Sequence, residues 1–156
     1  DSNLVARKLG SFSNVLCASP EYLARHGTPT CIEDLKNHKC VNYVYPTNGR
    51  AYQWQFDSPE GRIALDVDAH LLINDGESVI QAAMAGLGIA RVDSVTACYF
   101  RQAFQAEIRP LKHAPLYDLA LIAPPEQARS RASIRLGEML IEAVDRTVAQ
   151  GPAPAG

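Results

Sequence analysis

The stretch from Leu71 to Val92, LLINDGESVIQAAMAGLGIARV, admits little besides a strand, a helix and a second strand in direct succession. Leu71, Leu72 and Ile73 form a short apolar run, and Asn74, Asp75, Gly76 and Glu77 follow it. A small polar cap, a glycine and an early acid open a helix, because the free N–H groups at that end need acceptors and the helix dipole favours negative charge there. Ile80, Ala83, Met84 and Leu87 then recur at i, i+3, i+4 and i+7, which lays one apolar face on a sheet. Gly86 supplies a left-handed stop, Gly88 lets the backbone pass close to a neighbour, and Ile89, Ala90 and Val92 enter the next strand. The unit is a βαβ crossover between parallel strands, right-handed by the general rule.

A helix N-terminus at the carboxyl edge of a parallel sheet is where open α/β folds take polar or anionic ligands. The residues that cap this helix are therefore ligand candidates as well, and plain capping is the alternative role for Asp75. No G-x-G-x-x-G fingerprint is present, since the glycines stand at the far end of the helix, so a dinucleotide site is not expected.

At 156 residues the chain suits one domain or slightly more, and its 47% hydrophobic and 21% charged content is ordinary for a soluble globular protein. No apolar run approaches the ~20 residues that span a bilayer, and no signal peptide is in view. Fifteen basic against seventeen acidic residues give a net charge of -2, with no basic surplus to neutralise the phosphates of a nucleic acid. Cys17, Cys31, Cys40 and Cys98 lie far apart without a C-x-x-C pair, and His26, His38, His70 and His113 are equally scattered. Neither zinc spacing nor a dense disulfide framework is present; Cys17 lies in an apolar strand and Cys98 on an expected helix, so buried thiols in a reducing cytoplasm are the expectation. No H-E-x-x-H or G-x-S-x-G motif assembles a local catalytic constellation.

Along the chain, Asp1 to Leu9 reads as a strand and Ser11 to Ala18 as a second extended piece after Gly10. Ser19, Pro20 and Gly27 have the chemistry of a helix cap, first turn and stop. A shorter helix is expected next, where Thr30 and Glu33 have capping-box spacing. Val41 to Tyr45 is a β-rich run broken by Pro46, Asn48 and Gly49. Tyr52, Trp54 and Phe56 alternate with Gln53 and Gln55, and after a turn at Ser58 to Gly61 the residues Ile63, Leu65 and Val67 alternate with polar ones, so a hairpin is predicted. The aromatic row suits a base-stacking platform or a buried sheet face, and without surrounding Lys or Arg the sheet face is favoured. Ser94 caps a helix running to about Gln105 with Val95, Cys98, Tyr99 and Phe104 inward. Ile108 to Leu111 and Leu116 to Ala123 are strands, and a last helix from about Arg129 carries Leu136, Leu140, Val144 and Val148 at i+4 steps. GPAPAG at the end reads as a disordered tail.

Strands alternating with helices around an inserted hairpin indicate a mixed sheet in an α/β fold. The first strand and the last strand with its helix do not obviously belong to the sheet of residues 12 to 115, and two passages, near Gly10 to Ser13 and Pro115 to Asp118, look like crossings between two lobes.

Taken together, LVARKLGSFSNVLCASPEYLARHGTPTCIEDLKNHKCVNY, LLINDGESVIQAAMAGLGIARV and LYDLALIAP resemble the effector-binding domain of LysR-type transcriptional regulators, over residues 1 to 148. The resemblance implies a periplasmic-binding-protein-like fold, in which one complete mixed-sheet, Rossmann-like lobe and part of a second are joined by two crossing strands. Residues 12–116 would form the complete lobe, 1–11 and 117–148 the partial one, and 149–156 the tail. A winged helix-turn-helix and the first elements of the partial lobe precede this region in the family, so the chain is expected to be N-terminally truncated. A proline commonly stands in the family two residues beyond the position of Arg91, where this chain has Asp93.

The resemblance places a small-molecule effector in the cleft between the lobes. The wall carried by this chain would comprise Ser19, Tyr43, Tyr45, the helix N-terminus at Asn74, Asp75, Gly76, Glu77 and Ser78, and the loop at Arg91 and Asp93. Capping or packing is the alternative for each, and for Arg91 a surface ion pair. The implied protein is a cytoplasmic homo-oligomer that contacts DNA only through the segment not found here. It needs no metal or cofactor, touches no membrane and is not an enzyme. A solute-binding protein of the same architecture is the competing reading, and a small α/β enzyme a weaker one because no nucleophile with a base is visible.

Overall fold

A computed structural model of the chain describes residues 3–58, 61–104, 107–110, 116–125 and 128–149. The described elements run β1 (Val5–Ala18), α1 (Pro20–His26), a 3-10 turn (Glu33–Asn37), β2 (Cys40–Tyr43), β3 (Trp54–Ser58), β4 (Gly61–Leu65), β5 (Ala69–Ile73), α2 (Gly76–Met84), β6 (Ile89–Asp93), α3 (Ser94–Phe104), β7 (Glu107–Pro110), β8 (Leu116–Ala123) and α4 (Arg131–Ala149).

The central unit forms as its residues dictate. Strands β5 and β6 both run parallel to β2, which lies between them, so α2 crosses one intervening strand to connect them. Asp75 caps α2, its Oδ2 accepting from the Ser78 backbone N–H at 2.8 Å and the Ser78 hydroxyl at 2.6 Å. Gly86 takes φ +78° after the last turn, and a Cβ on Gly88 would sit 2.5 Å from the Lys39 carbonyl oxygen, which already accepts from Ile89 N–H. Ile80 and Ala83 face the sheet as expected, with Met84 packed against the same core and Val79 joining them, whereas Leu87 lies beyond the helix end and is 45% exposed.

The two extended pieces expected on either side of Gly10 are one strand of 14 residues. Val5 to Ser13 pair antiparallel with β8, with a register shift between Lys8 and Gly10. Asn14 to Cys17 then pair with β6, and Val15 to Ala18 with β7. Gly10 is thus accommodated as a local irregularity rather than a break. Alternation along β1, β2 and β6 divides the core by sheet face. Val15, Cys17, Val41, Ala90 and Val92 pack with Val79, Ile80 and Ala83 of α2 and Ala97 of α3. Leu16, Ala18, Cys40 and Ile89 pack on the other face with Tyr22, Leu35, Trp54 and Phe56. The predicted hairpin is therefore present, β3 with β4, and its Trp54 and Phe56 line a buried sheet face.

Three local expectations need correction. The helix after Thr30 is a five-residue 3-10 turn, and Asp34 rather than Glu33 reaches back, accepting from Thr30 N–H and Oγ1 and from Cys31 N–H. Those bonds hold the Asp34 carboxyl down to about 2. Asp93, not Ser94, caps α3, accepting from Thr96 N–H at 2.8 Å and Thr96 Oγ1 at 2.6 Å. In α4 the half-buried positions are Ile134, Gly137, Ile141 and Val144, while Leu136 and Leu140 are exposed. A row of i+4 steps drifts around a helix of 3.6 residues per turn, whereas alternating steps of three and four keep one side. The side chains of Tyr99, Phe104 and Val148, the turn at Pro59 and Glu60, and the tail from Gln150 lie outside the described residues.

Candidate functional site

A cleft of about 670 Å³ opens at the carboxyl edge of the parallel strands β2 and β6. It is walled by Asn42 and Tyr43 at the end of β2, by Arg91, Val92 and Asp93 at the end of β6, and by Gly76, Glu77, Val79 and Ile80 of α2. Asn14 of β1, Thr96 of α3, and Tyr45 and Tyr52 on the turn beyond β2 complete it. Ending strands and a starting helix on one edge is the arrangement that leaves a ligand crevice in α/β sheets.

Tyr45 and Tyr52 are brought over this edge by a small antiparallel excursion. Tyr45 N–H donates to the Arg50 carbonyl at 2.9 Å, Gly49 N–H to the Tyr45 carbonyl at 2.8 Å, and Tyr52 N–H to the Tyr43 carbonyl at 2.7 Å. The three phenols pack as a group, Tyr43 edge-on to Tyr45 and Tyr45 tilted against Tyr52, each pair with centroids 5.7 Å apart. Loss of hydration, with help from the neighbouring phenols, raises the Tyr45 hydroxyl above its ordinary value against an opposing pull from Arg91. Beneath them Asn42 is buried and fully engaged. Its Oδ1 accepts from Trp54 Nε1 at 2.9 Å and from Tyr43 N–H at 2.8 Å, and its Nδ2 donates to the Tyr52 carbonyl at 2.8 Å. One side chain thus fixes the floor of the cleft to the hairpin below it.

Arg91 is the exception to this pattern of satisfied groups. Its guanidinium carbon stands 5.1 Å from the centre of the Tyr52 ring, a cation–π arrangement. Its Nε and Nη2 are buried and have no hydrogen-bond partner among the described residues. Asp93, two positions on, makes no hydrogen bond to Nε or Nη2, and its carboxylate oxygens accept instead from Thr96.

Of the residues singled out from sequence, Tyr43, Tyr45, Gly76, Glu77, Arg91 and Asp93 meet at this cleft. Ser19, Asn74, Asp75 and Ser78 do not line it. The Ser19 hydroxyl is buried, accepts from Tyr22 N–H at 3.1 Å and lies beside Gly86, at the opposite end of α2. Asp75 and Ser78 are bonded to each other, and these bonds lower the Asp75 carboxyl below its ordinary range. Asn14, Asn42, Tyr52, Thr96 and the apolar residues Val79, Ile80 and Val92 are lining residues that sequence reasoning missed. Two of them left a signal: Asn14 and Asn42 are single amides inside the apolar strand segments NVLCA and CVNYV. Among the described residues no group of three or more His, Cys, Asp or Glu is placed to hold a metal ion, and no helix is long and apolar enough to cross a membrane.

Residues 1–145 match the family model described as the LysR substrate binding domain. The chain belongs to this family. Relatives of this LysR domain include the uncharacterised HTH-type transcriptional regulator YhjC of Escherichia coli K12, 30% identical over 135 residues, which are 84% of this chain and 44% of YhjC. The HTH-type transcriptional regulator DmlR of the same organism is 40% identical over 88 residues, 56% of this chain and 28% of DmlR. The chain therefore spans less than half the length of these relatives. Among solved structures, the CrgA regulatory domain of Neisseria meningitidis superposes with a TM-score of 0.74 at 23% identity, covering 92% of this chain and 70% of that one. The AphB regulatory domain of Vibrio vulnificus gives 0.70 at 25% identity with the same coverage. The LysR effector-binding domain has the periplasmic-binding-protein-like fold that these neighbours share.

Proposed function

We propose that this LysR domain holds a small-molecule effector in the cleft between β2, β6 and α2, and that the binding energy biases an attached helix-turn-helix region between two arrangements on DNA. The observation that supports it best is the cleft itself: a tyrosine-lined crevice at the carboxyl edge of parallel strands, holding a cation with two buried donor atoms unpartnered among the described residues. The change of pairing along β1 supports residues 12–116 as one lobe and 1–11 with 117–148 as part of another, and the cleft is lined by residues of the first. In this reading the chain itself does no chemistry and makes no direct DNA contact, and the whole regulator is a cytoplasmic homo-oligomer.

A thermal-shift screen of the chain against small metabolites tests the reading. An effector at about 100 times its dissociation constant adds ~2.7 kcal/mol, which moves the midpoint of a chain this size by roughly 5 to 10 °C. Tyr43→Ala and Tyr45→Ala should each reduce that shift. A hit whose shift is undiminished in both variants binds elsewhere and overturns the assignment.

A further inference from the structure

The identity of the two orphaned atoms of Arg91 says more than that a cation is present. In a guanidinium, Nε–H and the adjacent Nη2–H point from the same edge, parallel to each other, and that edge matches the two oxygens of a carboxylate. Both atoms of this one edge are buried and without a hydrogen-bond partner among the described residues. Leaving charged donors dehydrated and unpaired is unfavourable, so such an edge is uncommon unless a ligand completes it.

Among the described residues nothing else around the cleft takes that place. Asp93 is committed to Thr96, Glu77 Oε1 accepts from Gln81 Nε2 at 3.3 Å on the exposed first turn of α2, and the ion pairs of the described residues do not include Arg91. The Tyr52 ring holds the guanidinium from one face, and Asn42 in turn holds the Tyr52 carbonyl, so the edge is positioned before any ligand arrives. The nearby start of α2 adds a favourable field for negative charge. The remaining walls are rings and aliphatic groups: Tyr43, Tyr45, Val79, Ile80 and Val92.

We infer that the effector is a small organic acid whose carboxylate forks onto the Nε–Nη2 edge of Arg91 and whose body is planar and apolar enough to lie among Tyr43, Tyr45 and Tyr52. This rests on the cleft being the effector site and adds the chemical class of the effector to it. Because the edge has no solvent-exposed surface, admitting the carboxylate takes a small movement of a neighbouring side chain. Tyr45, on its turn and 39% exposed, is the least confined of the three phenols.

The test uses phenylacetate and its uncharged isostere phenylacetamide, titrated into the isotopically labelled chain and followed by the Arg Nε–Hε and backbone amide resonances. Phenylacetate should bind at least tenfold more tightly than phenylacetamide and should move the Arg91 Nε–Hε signal. Arg91→Gln should bring the acid-to-amide ratio down towards one, and Arg91→Lys should restore only part of it, since a single ammonium cannot donate the parallel fork. The wild-type acid-to-amide ratio needs no variant, so it decides the matter even if Arg91→Gln folds poorly. If the amide binds as tightly as the acid and both move Tyr43 and Tyr45, the carboxylate inference is wrong while the cleft reading stands. If neither compound perturbs residues of the cleft, both fail.

Discussion

Gly86 and Gly88 stand two residues apart in one turn, yet they are glycine for different reasons. At Gly86 the backbone needs φ +78°, and an added methyl would meet only side-chain atoms, Arg25 Nη2 and Ser19 Oγ, at 3.4 Å. Gly86→Ala should therefore cost ~1 to 2 kcal/mol, the ordinary penalty of a left-handed residue. At Gly88 the methyl would collide with the Lys39 backbone, which is bonded to Ile89 and cannot step aside cheaply. Gly88→Ala should cost more, ~2 to 4 kcal/mol, with overpacking added to backbone strain. Urea midpoints of the two variants check the order, and an equal or reversed order would refute the close approach. His38 supports a second residue-scale prediction. Its ring is buried with Nδ1 3.3 Å from the Tyr22 hydroxyl, and its pKa falls below the ordinary 6.5, chiefly through lost hydration and then through His26, with Asp34 opposing. The unfolded chain then takes up this proton before the folded one does. Stability from neutral His38 is full above about 6.5 and declines as pH falls through the folded value. Between pH 7.5 and 5.5 the wild type should lose more stability than His38→Asn, and equal losses would mean that the ring titrates freely.

At the scale of elements, α2 carries both the packing and the cleft, and its two faces should respond differently to truncation. Ile80 is buried against β1, β2 and β6, so Ile80→Ala should cost ~2 to 5 kcal/mol, while Leu87→Ala, on an exposed side chain past the helix end, should stay within ~0.5 kcal/mol. Chemical denaturation of the pair decides which residues form the face, and comparable losses would return Leu87 to the core. What could be read in advance follows the range of the interaction. The caps at Ser19 and Asp75, the stop at Gly86 and the alternation of Trp54 and Phe56 are set within a few residues, and the sequence spells them out. The choice of Asp34 over Glu33, and of Ile134, Gly137, Ile141 and Val144 over the Leu136 row, turns on small angular differences that a spacing of three or four residues does not resolve. Gly10 misleads for another reason: whether a glycine ends a strand or only shifts its register depends on β8, more than a hundred positions away. The cleft shows the same division. Gly76 and Glu77 are marked by the helix start they occupy, and Tyr43 and Arg91 by the family resemblance, but Tyr52 enters through a turn. Nothing local to Arg91 says that one edge of it is left without a partner.

For the whole molecule, the ribbon of β1 and β8 is covered unevenly. Helix α4 packs mainly on β1, and its Gly137 lies close to Leu121 of β8, so it covers the Leu121 face of the ribbon, while Ile122 projects from the other face at 63% exposed. Leu4, just before β1, is 54% exposed, and Leu136, Met139 and Leu140 form an outward stripe on α4 at 56%, 53% and 41%. Two separate apolar surfaces thus meet water on one end of the protein. Full burial of such a side chain is worth ~1.5 to 3 kcal/mol, and these five are about half removed from water already, so covering them all gains roughly 5 kcal/mol. A dimer covers the surfaces of both copies, ~10 kcal/mol, and association costs ~4 to 15 kcal/mol in lost freedom, so at most ~6 kcal/mol is left and self-association is weak, with dissociation constants from tens of micromolar upward. Sedimentation velocity over a hundredfold range of concentration should therefore show the weight-average coefficient rising with concentration. Ile122→Lys combined with Leu140→Lys should flatten that rise without lowering the urea midpoint, since both side chains already face solvent. A chain that stays monomeric throughout, or a double variant that associates as strongly as the wild type, would mean that these surfaces are not what holds two copies together.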